Sequence, residues 1–163
     1  MQENNITTLY HFTDRSNLAK IKAQGGLFSW DYLGKNGIYI PQGGGGSQSR
    51  DLDRKYGLED YVHLTFCENH PMQFRLRKEG YNLVVLKIKI DVVYLENTLF
   101  SDMNAGDERH THGSNLADLK RVNFAATKIK GLYSTDPNFK FSQAEVMVKT
   151  WIPLGYITNI HHF

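Results

Sequence analysis

The glycines of this chain are concentrated in one stretch. Nine of the fourteen lie between residues 25 and 57, and four of these form an unbroken run at 43–46. Glycine loses more backbone entropy on ordering than any other residue, so the run predicts neither a helix nor a strand. A loop of this kind in a small protein is a linker or a functional lid. Because the chain on its two sides is too short for two self-sufficient domains, the pattern favours a lid on a single domain, residues 1–163.

Composition and charge exclude several classes of protein. The chain is 40% apolar and 22% charged, close to globular averages, which excludes disordered and fibrous classes. A net charge of +2 is too small to indicate binding to nucleic acid or membrane by bulk charge. No apolar run approaches the ~18 residues of a membrane span, the first eight residues contain no signal-peptide core, and the single cysteine, Cys67, has no internal partner. We therefore expect a cytoplasmic protein with no membrane contact.

The remaining sequence alternates between strand and helix patterns. Strands are predicted at residues 8–12, 61–66, 82–90 and 144–150, and residues 152–160 are expected to end the sheet. Helix boundaries are predicted from caps: Asp14 or Ser16 with Gly25, Pro71 with Gly80, and Ser114 at the start of a third helix. Strands with helices between and beside them predict an α+β sandwich, without fixing the strand order.

Four polar clusters are candidates for chemistry, although each also has an ordinary structural explanation. His11 and Thr13 lie on one side of the first strand, near its end. Arg50 and Arg54 follow the glycine run and suit an anionic ligand, or are solvated surface residues. Glu145 begins a strand after the irregular residues 103–142, and residues 101–105 form a polar turn.

Metal binding is not expected. His110 and His112 are close in sequence but have no third ligand at a recognisable spacing, and their loop is rich in turn-forming residues.

The order of several short motifs resembles that of a known family. Along the chain these are Tyr-His-Phe-Thr at 10–13, the glycine loop followed by arginine, Asp-Tyr-Val at 60–62, His-Pro-Met at 70–72, Leu-Phe-Ser-Asp-x-Asn-Ala at 99–105 and Gln-Ala-Glu-Val at 143–146. Together they resemble the DarT family, DNA-modifying ADP-ribosyltransferase toxins of bacterial toxin–antitoxin systems. The resemblance runs from about residue 9 to residue 160.

This resemblance implies an α+β fold, an ADP-ribosyltransferase-like split β-sandwich with flanking helices whose cleft holds NAD+. It implies transfer of ADP-ribose to a base in single-stranded DNA, with release of nicotinamide and no metal. Glu145 then stabilises the oxocarbenium-like transition state. Arg50, or failing that Arg54, orients the acceptor base.

The resemblance also implies further contacts. His11 and Thr13 hold the nicotinamide end of NAD+, Asn17 and Leu27 belong to the same wall, and residues 34–49 fold over NAD+. Candidate DNA contacts are His70, Met72, Asn104 and Arg121. The sequence departs from the thymidine-modifying branch at several acceptor-side positions, among them His63 in place of proline, so the prediction favours guanine slightly over thymine.

The implied partners are single-stranded DNA and an antitoxin, a macrodomain or another ADP-ribosyl hydrolase, and we expect a monomer. Two alternatives stay open. One is an NAD-dependent transferase that acts on RNA or protein, and the other is a nucleic-acid-binding module without catalysis.

Overall fold

The computed structural model describes residues 1, 4–44 and 46–163, so Gly45 of the glycine run lies outside the described residues. The strands are β1 (Thr8–Asp14), β2 (Gly26–Phe28), β3 (Tyr61–Thr65), β4 (Leu83–Lys89), β5 (Leu99–Ser101), β6 (His112–Gly113), β7 (Glu145–Lys149) and β8 (Trp151–Pro153). The helices are α1 (Leu18–Ala23), α2 (Trp30–Lys35), α3 (Ser47–Tyr56), α4 (Pro71–Lys78), α5 (Leu116–Arg121) and α6 (Phe124–Thr127). This mixture confirms the predicted α+β class.

The strands form two antiparallel sheets. The larger has the order β4-β1-β3-β7-β5-β6, and the smaller pairs β2 with β8. Apolar side chains that alternate along the strands form one core, in which Leu9, Leu86, Val146 and Ile152 have no exposed surface. Each such side chain contributes roughly 1.5–3 kcal/mol by leaving water. None of the helices in the described residues is both long and apolar enough to cross a bilayer.

The predicted end of the first helix is confirmed, because Gly25, at φ +78°, follows the end of α1. Asp14 accepts a hydrogen bond from the backbone N–H of Ser16 and caps a 3₁₀ turn, Arg15–Asn17, that leads into α1. The predicted start of the third helix was wrong by one residue, because Asn115 rather than Ser114 caps α5. Asn115 accepts from the backbone N–H of Asp118, whose carboxylate accepts in return from the N–H of Asn115. This reciprocal capping box satisfies a backbone N–H at each of the two residues.

The glycine-rich segment is shorter than predicted. Gly34 and Lys35 belong to α2, and α3 begins at Ser47 directly after the last glycine, so the described residues of the 36–46 segment form neither helix nor strand. The amphipathic residues after Ser47 continue as helix until Gly57, which adopts the left-handed conformation at φ +69°. The helix therefore places Arg50 in its first turn, close to the glycines.

The prediction that residues 152–160 end the main sheet was also wrong. Thr150 has a positive φ of 59°, and its hydroxyl donates to Asp60 at 2.8 Å. This bend moves the chain from β7 into β8, which pairs with β2 in the second sheet. After β8, the main sheet regains one isolated bridge, between Ile88 and Ile157.

Candidate active site

A cleft opens where the main sheet comes apart. β1 pairs with β4 along its whole length but with β3 at a single position, Tyr10 opposite Thr65, among the residues that the structure describes. Residues of both strands line a cavity of about 350 Å³, whose other walls come from α1, β2, the 36–46 segment, α3 and the start of α4. Residues from both faces of the sheet therefore line one cavity.

Glu145 lies in this cavity with its carboxylate held by three donors. The Asn104 side-chain amide donates to Oε1 at 3.1 Å, and the backbone N–H of Ala105 donates to Oε2 at 3.0 Å. His63 Nδ1 lies 3.1 Å from Oε2. Glu145 is only 8% exposed, so these bonds replace most of its hydration. The turn at 101–105 is thus the support of this carboxylate.

The carboxylate of Glu145 is ionised. Burial alone would raise its pKa, but the neighbouring charge of His63 and the hydrogen bonds from His63 and Ala105 outweigh burial, so the pKa lies below its ordinary value. A buried carboxylate that stays charged at neutral pH can stabilise a positive charge developing in the cavity.

His63, Asp53 and Trp30 form a chain behind Glu145 that sequence reasoning missed. His63 Nε2 lies 3.8 Å from Asp53 Oδ1, and the Trp30 indole N–H donates to Asp53 Oδ2 at 3.0 Å. Burial would lower the pKa of His63, but the two carboxylates outweigh it and raise the pKa. The available sequence signal was the alternation of β3, which places His63 on the face opposite Val62 and Leu64.

His11 presents a hydrogen-bond acceptor. Burial lowers its pKa, so the imidazole is neutral at neutral pH. Its Nδ1 lies 3.0 Å from the backbone carbonyl of His63, and because a carbonyl only accepts, Nδ1 carries the proton. Nε2 therefore keeps a free lone pair in a residue that lines the cavity.

Asn17 ties the glycine-rich segment to the sheet. Its side-chain amide donates to the Gln42 carbonyl and to the Thr13 hydroxyl, while its Oδ1 accepts from the Gln42 N–H at 2.9 Å. Both Asn17 and Thr13 line the cavity, as does the buried Leu27 of β2. The four residues predicted for one wall therefore line the same cavity. Asn17 holds the glycine-rich segment by bonding the backbone of Gln42.

Replacing Asn17 by alanine is expected to release the glycine-rich segment. The variant loses both bonds to the Gln42 backbone, and such bonds contribute about 0.5–1.5 kcal/mol each. Limited proteolysis should then cut within residues 36–46 several-fold faster than in the wild-type protein. Asn159→Ala, which removes the same kind of two-bond contact, to the backbone N–H of Lys87 and the carbonyl of Val85 in β4, is the matched control outside the segment. Equal cutting rates in the two variants would contradict the clamp.

The structure distinguishes the two candidate arginines. Arg50 lines the cavity, stacks over Trp30 at 5.4 Å and donates to the Gly44 carbonyl at 3.3 Å. Its buried Nε meets no hydrogen-bond acceptor among the described residues. Arg54 stacks over the same indole at 4.9 Å but pairs with Asp51 and lies outside the residues that line this cavity.

His70 and Met72 approach the cavity from the start of α4. His70 Nδ1 accepts from the Met72 N–H at 3.2 Å, and the ring stacks on Phe12 with centroids 5.6 Å apart. Burial lowers the pKa of His70, so the ring is neutral and its proton is on Nε2. That donor has no partner among the described residues, although the side chain is almost fully buried. A ligand atom would satisfy it.

The other two predicted DNA contacts are placed differently. Asn104 lines the cavity, but its amide is bonded to Glu145. Arg121 is half-exposed, pairs with Asp118 at 3.0 Å and is not among the residues that line the cavity.

The His110 and His112 rings are hydrogen-bonded to each other at 2.9 Å. No group of three metal-ligating side chains occurs in the described part of the chain.

Comparison with known proteins gives a match over almost the whole chain. The family model described as "ssDNA thymidine ADP-ribosyltransferase, DarT" matches residues 10–162. No curated protein sequence matches the chain.

Solved structures share the fold. Thermus sp. 2.9 DarT in complex with ADP-ribosylated ssDNA superposes with a TM-score of 0.74 and 19% identity, over 93% of this chain and 79% of that chain. Its complex with NAD+ gives 0.72 and 21%, over 94% and 80%. Thermosipho africanus DarTG in complex with ADP-ribose gives 0.78 and 20%, over 93% of this chain and 42% of that chain. The predicted ADP-ribosyltransferase-type fold is therefore confirmed.

Proposed function

Because the chain belongs to the DarT family of single-stranded-DNA thymidine ADP-ribosyltransferases, we propose that its cleft binds NAD+ and that Glu145 promotes transfer of ADP-ribose to DNA. The observation that carries this assignment is the buried, ionised carboxylate of Glu145 at the point where β1 and β3 separate. NAD+ is the substrate that supplies the ADP-ribose, and no metal takes part in the proposal.

The chemistry explains why a carboxylate is needed. The bond between the ribose C1′ and the nicotinamide nitrogen breaks, its electron pair stays on nicotinamide, and positive charge develops on the ribose. Glu145 stabilises that charge, and because its three donors hold it in place, little reorganisation is needed at the moment of reaction. A ring nitrogen of the base then bonds to C1′ and loses its proton to solvent.

The nicotinamide side of the cleft is assigned to the β1 wall. The free Nε2 lone pair of His11 accepts from a hydroxyl or amide of the substrate, and Thr13 adds a hydroxyl beside it. Leu27 supplies an apolar surface. Asn17 takes a positioning role, because its amide holds the backbone of Gln42.

The acceptor side is assigned to α3 and α4. Arg50 orients the base and balances developing negative charge, since a guanidinium with a pKa above ~12 is a poor proton acceptor. The unpartnered Nε2–H of His70 donates to an acceptor atom of the ligand, and Met72 packs beside it. Asn104 acts through Glu145. Arg121 is kept as a phosphate contact outside the cavity.

The test uses NAD+ and four short single-stranded oligonucleotides, each lacking one base, with intact mass as the readout. We expect a gain of one ADP-ribose that is absent only from the oligonucleotide without thymine, because the matching family is described as thymidine-modifying. Absence only without guanine would instead identify guanine as the modified base. NAD+ consumption without DNA modification would move the acceptor to RNA or protein, and no consumption at all would favour a catalytically silent binding module.

We further propose that residues 1–163 act as a single monomeric domain in the cytoplasm and that the activity is that of a toxin. The similarity to Thermosipho africanus DarTG supports an antitoxin partner, for which we propose an ADP-ribosyl hydrolase such as a macrodomain. Cells that grow normally when this chain is induced alone would contradict the toxin role.

A further inference from the structure

Two buried carboxylates share one imidazole at the base of the cleft. Glu145 is 8% exposed and Asp53 6%. His63 lies between them, with Nδ1 at 3.1 Å from Glu145 and Nε2 at 3.8 Å from Asp53. In strand register, His63 is opposite Met147 and Thr65 is opposite Glu145, so the side chains of His63 and Glu145 project from the same face, one diagonal step apart. The contact is therefore fixed by the β3–β7 pairing.

We propose that His63 is a positioning residue for the transfer reaction. Its Nδ1–H donates to the Glu145 carboxylate, and its positive charge offsets the repulsion between Glu145 and Asp53. This inference rests on the proposed function, since the reaction that Glu145 serves is ADP-ribosyl transfer.

Charge balance supports this role. Two carboxylates and one imidazolium leave this cluster with a net charge of −1, which attracts a positive charge placed beside Glu145. That charge is on the nicotinamide ring of bound NAD+ and moves to the ribose as the bond breaks. Without a cation between them, two buried carboxylates cannot both stay ionised, and the pKa of one rises strongly. His63 therefore keeps Glu145 in the form that the reaction needs.

Asp53 is held from the opposite side. The Trp30 indole N–H donates to Asp53 Oδ2 at 3.0 Å. Asp53 lies on α3, about one turn after Arg50. Burial raises the pKa of Asp53, and His63 and the Trp30 bond oppose that rise. The chain from Trp30 through Asp53 and His63 to Glu145 thus connects α3 to the catalytic carboxylate.

Other charged and titratable groups lie near this cluster in the described residues. Arg50 lines the same cavity from α3. The titratable groups that interact electrostatically with members of the cluster are His11 from β1, His70 at the start of α4, and Glu59 before β3. His11 and His70 both have lowered pKa values through burial and are neutral at neutral pH, so His63 is the histidine that supplies the positive charge.

The decisive variants are His63→Gln, Asp53→Asn and the double variant, each assayed for kcat/KM of DNA modification against pH. In His63→Gln, the acid side of the kcat/KM profile should shift to higher pH by at least about one unit, because Glu145 then faces Asp53 without a cation and its pKa rises. In the double variant the acid side should return to within about half a unit of its wild-type position. His161→Gln, at an exposed histidine near the end of the chain, is the matched control.

A loss of activity that is uniform across pH in His63→Gln, or a double variant with the same shifted acid side, would overturn the proposal and leave His63 a packing residue. The imidazole titration measured by NMR tests the cluster without any assay of activity, with His63 identified by the signal that His63→Gln lacks. The pKa of His63 should lie above its ordinary value and fall in Glu145→Gln. An unshifted value would overturn the proposal, whereas absence of DNA modification by the wild-type protein would instead refute the proposed function.

Discussion

Glu145→Gln is expected to lower the rate of ADP-ribosyl transfer by at least about 100-fold, and by as much as ~1000-fold. The substitution preserves the size of the side chain but removes the negative charge that faces the ribose. Loss of a single preorganised electrostatic contact to a transition state costs this much in enzymes that stabilise developing charge. The measurement is kcat for DNA modification under saturating NAD+, so that weaker substrate binding does not enter the comparison.

The matched control is Glu96→Gln, which removes the same charge from an exposed turn. It should modify DNA within about twofold of the wild-type rate, since an isolated surface charge contributes little. Thermal unfolding of both variants should remain a single cooperative transition. A Glu145→Gln protein that keeps its transition and its activity would contradict the assignment of this carboxylate, whatever base is modified.

Acid should reduce wild-type activity through the same group. The pKa of Glu145 is held below its ordinary value of about 4.5, so the carboxylate stays charged as the pH falls to that value. Its negative charge, and the activity that depends on it, should be lost only at lower pH. This sign distinguishes the carboxylate from a general acid, whose pKa would have to be raised to act near neutral pH.

Periodicity and motif order contributed differently to the prediction of Glu145. The alternation of residues 144–150 places Glu145 at the start of a strand, but an exposed glutamate on an edge strand fits that pattern equally well. The order of the family's motifs is what assigned Glu145 to the cleft. The same holds for His11, which periodicity places only on one side of the first strand.

The chain from Glu145 to Trp30 was not accessible in this way. The contact of His63 with Glu145 depends on the register between β3 and β7, which are about 80 residues apart in sequence. In the sequence, Asp53 is one of several charged residues after the glycine run, and only the packing of α3 buries it. Contacts set by register and by helix docking are tertiary properties, and hydrophobic periodicity does not encode them.

The glycine run illustrates a further limit. It correctly indicated a stretch whose described residues form neither helix nor strand, but the predicted end of that stretch was too late, because a helix begins at Ser47 without a side-chain cap. Gly46 precedes α3 without any side-chain cap, and the helix is instead supported by the packing of Trp30 against Arg50 and Arg54. Local sequence therefore did not predict that a helix begins at Ser47, nor that Arg50 lies in its first turn.

Arg50→Ala is expected to reduce DNA modification by about 100-fold, whereas Arg54→Ala should stay within about threefold of the wild-type rate. The pair is well matched, because both guanidinium groups stack on the Trp30 ring, at 5.4 and 4.9 Å, so each variant loses one such contact. They differ in what else they meet. Arg50 lines the cleft with an unpartnered buried Nε among the described residues, and Arg54 is paired with Asp51.

A second readout separates the acceptor role of Arg50 from a role in NAD+ binding. If Arg50 orients the base, Arg50→Ala should still consume NAD+ slowly in the absence of DNA, at a rate within a few-fold of the wild-type protein, because water needs no orientation by a guanidinium fork. Arg50→Lys keeps the charge but not the planar pair of donors, and it should recover only a small part of the DNA modification. Equal losses in the Arg50 and Arg54 variants, or loss of NAD+ consumption together with DNA modification, would contradict the acceptor role and place the guanidinium on the substrate phosphates instead.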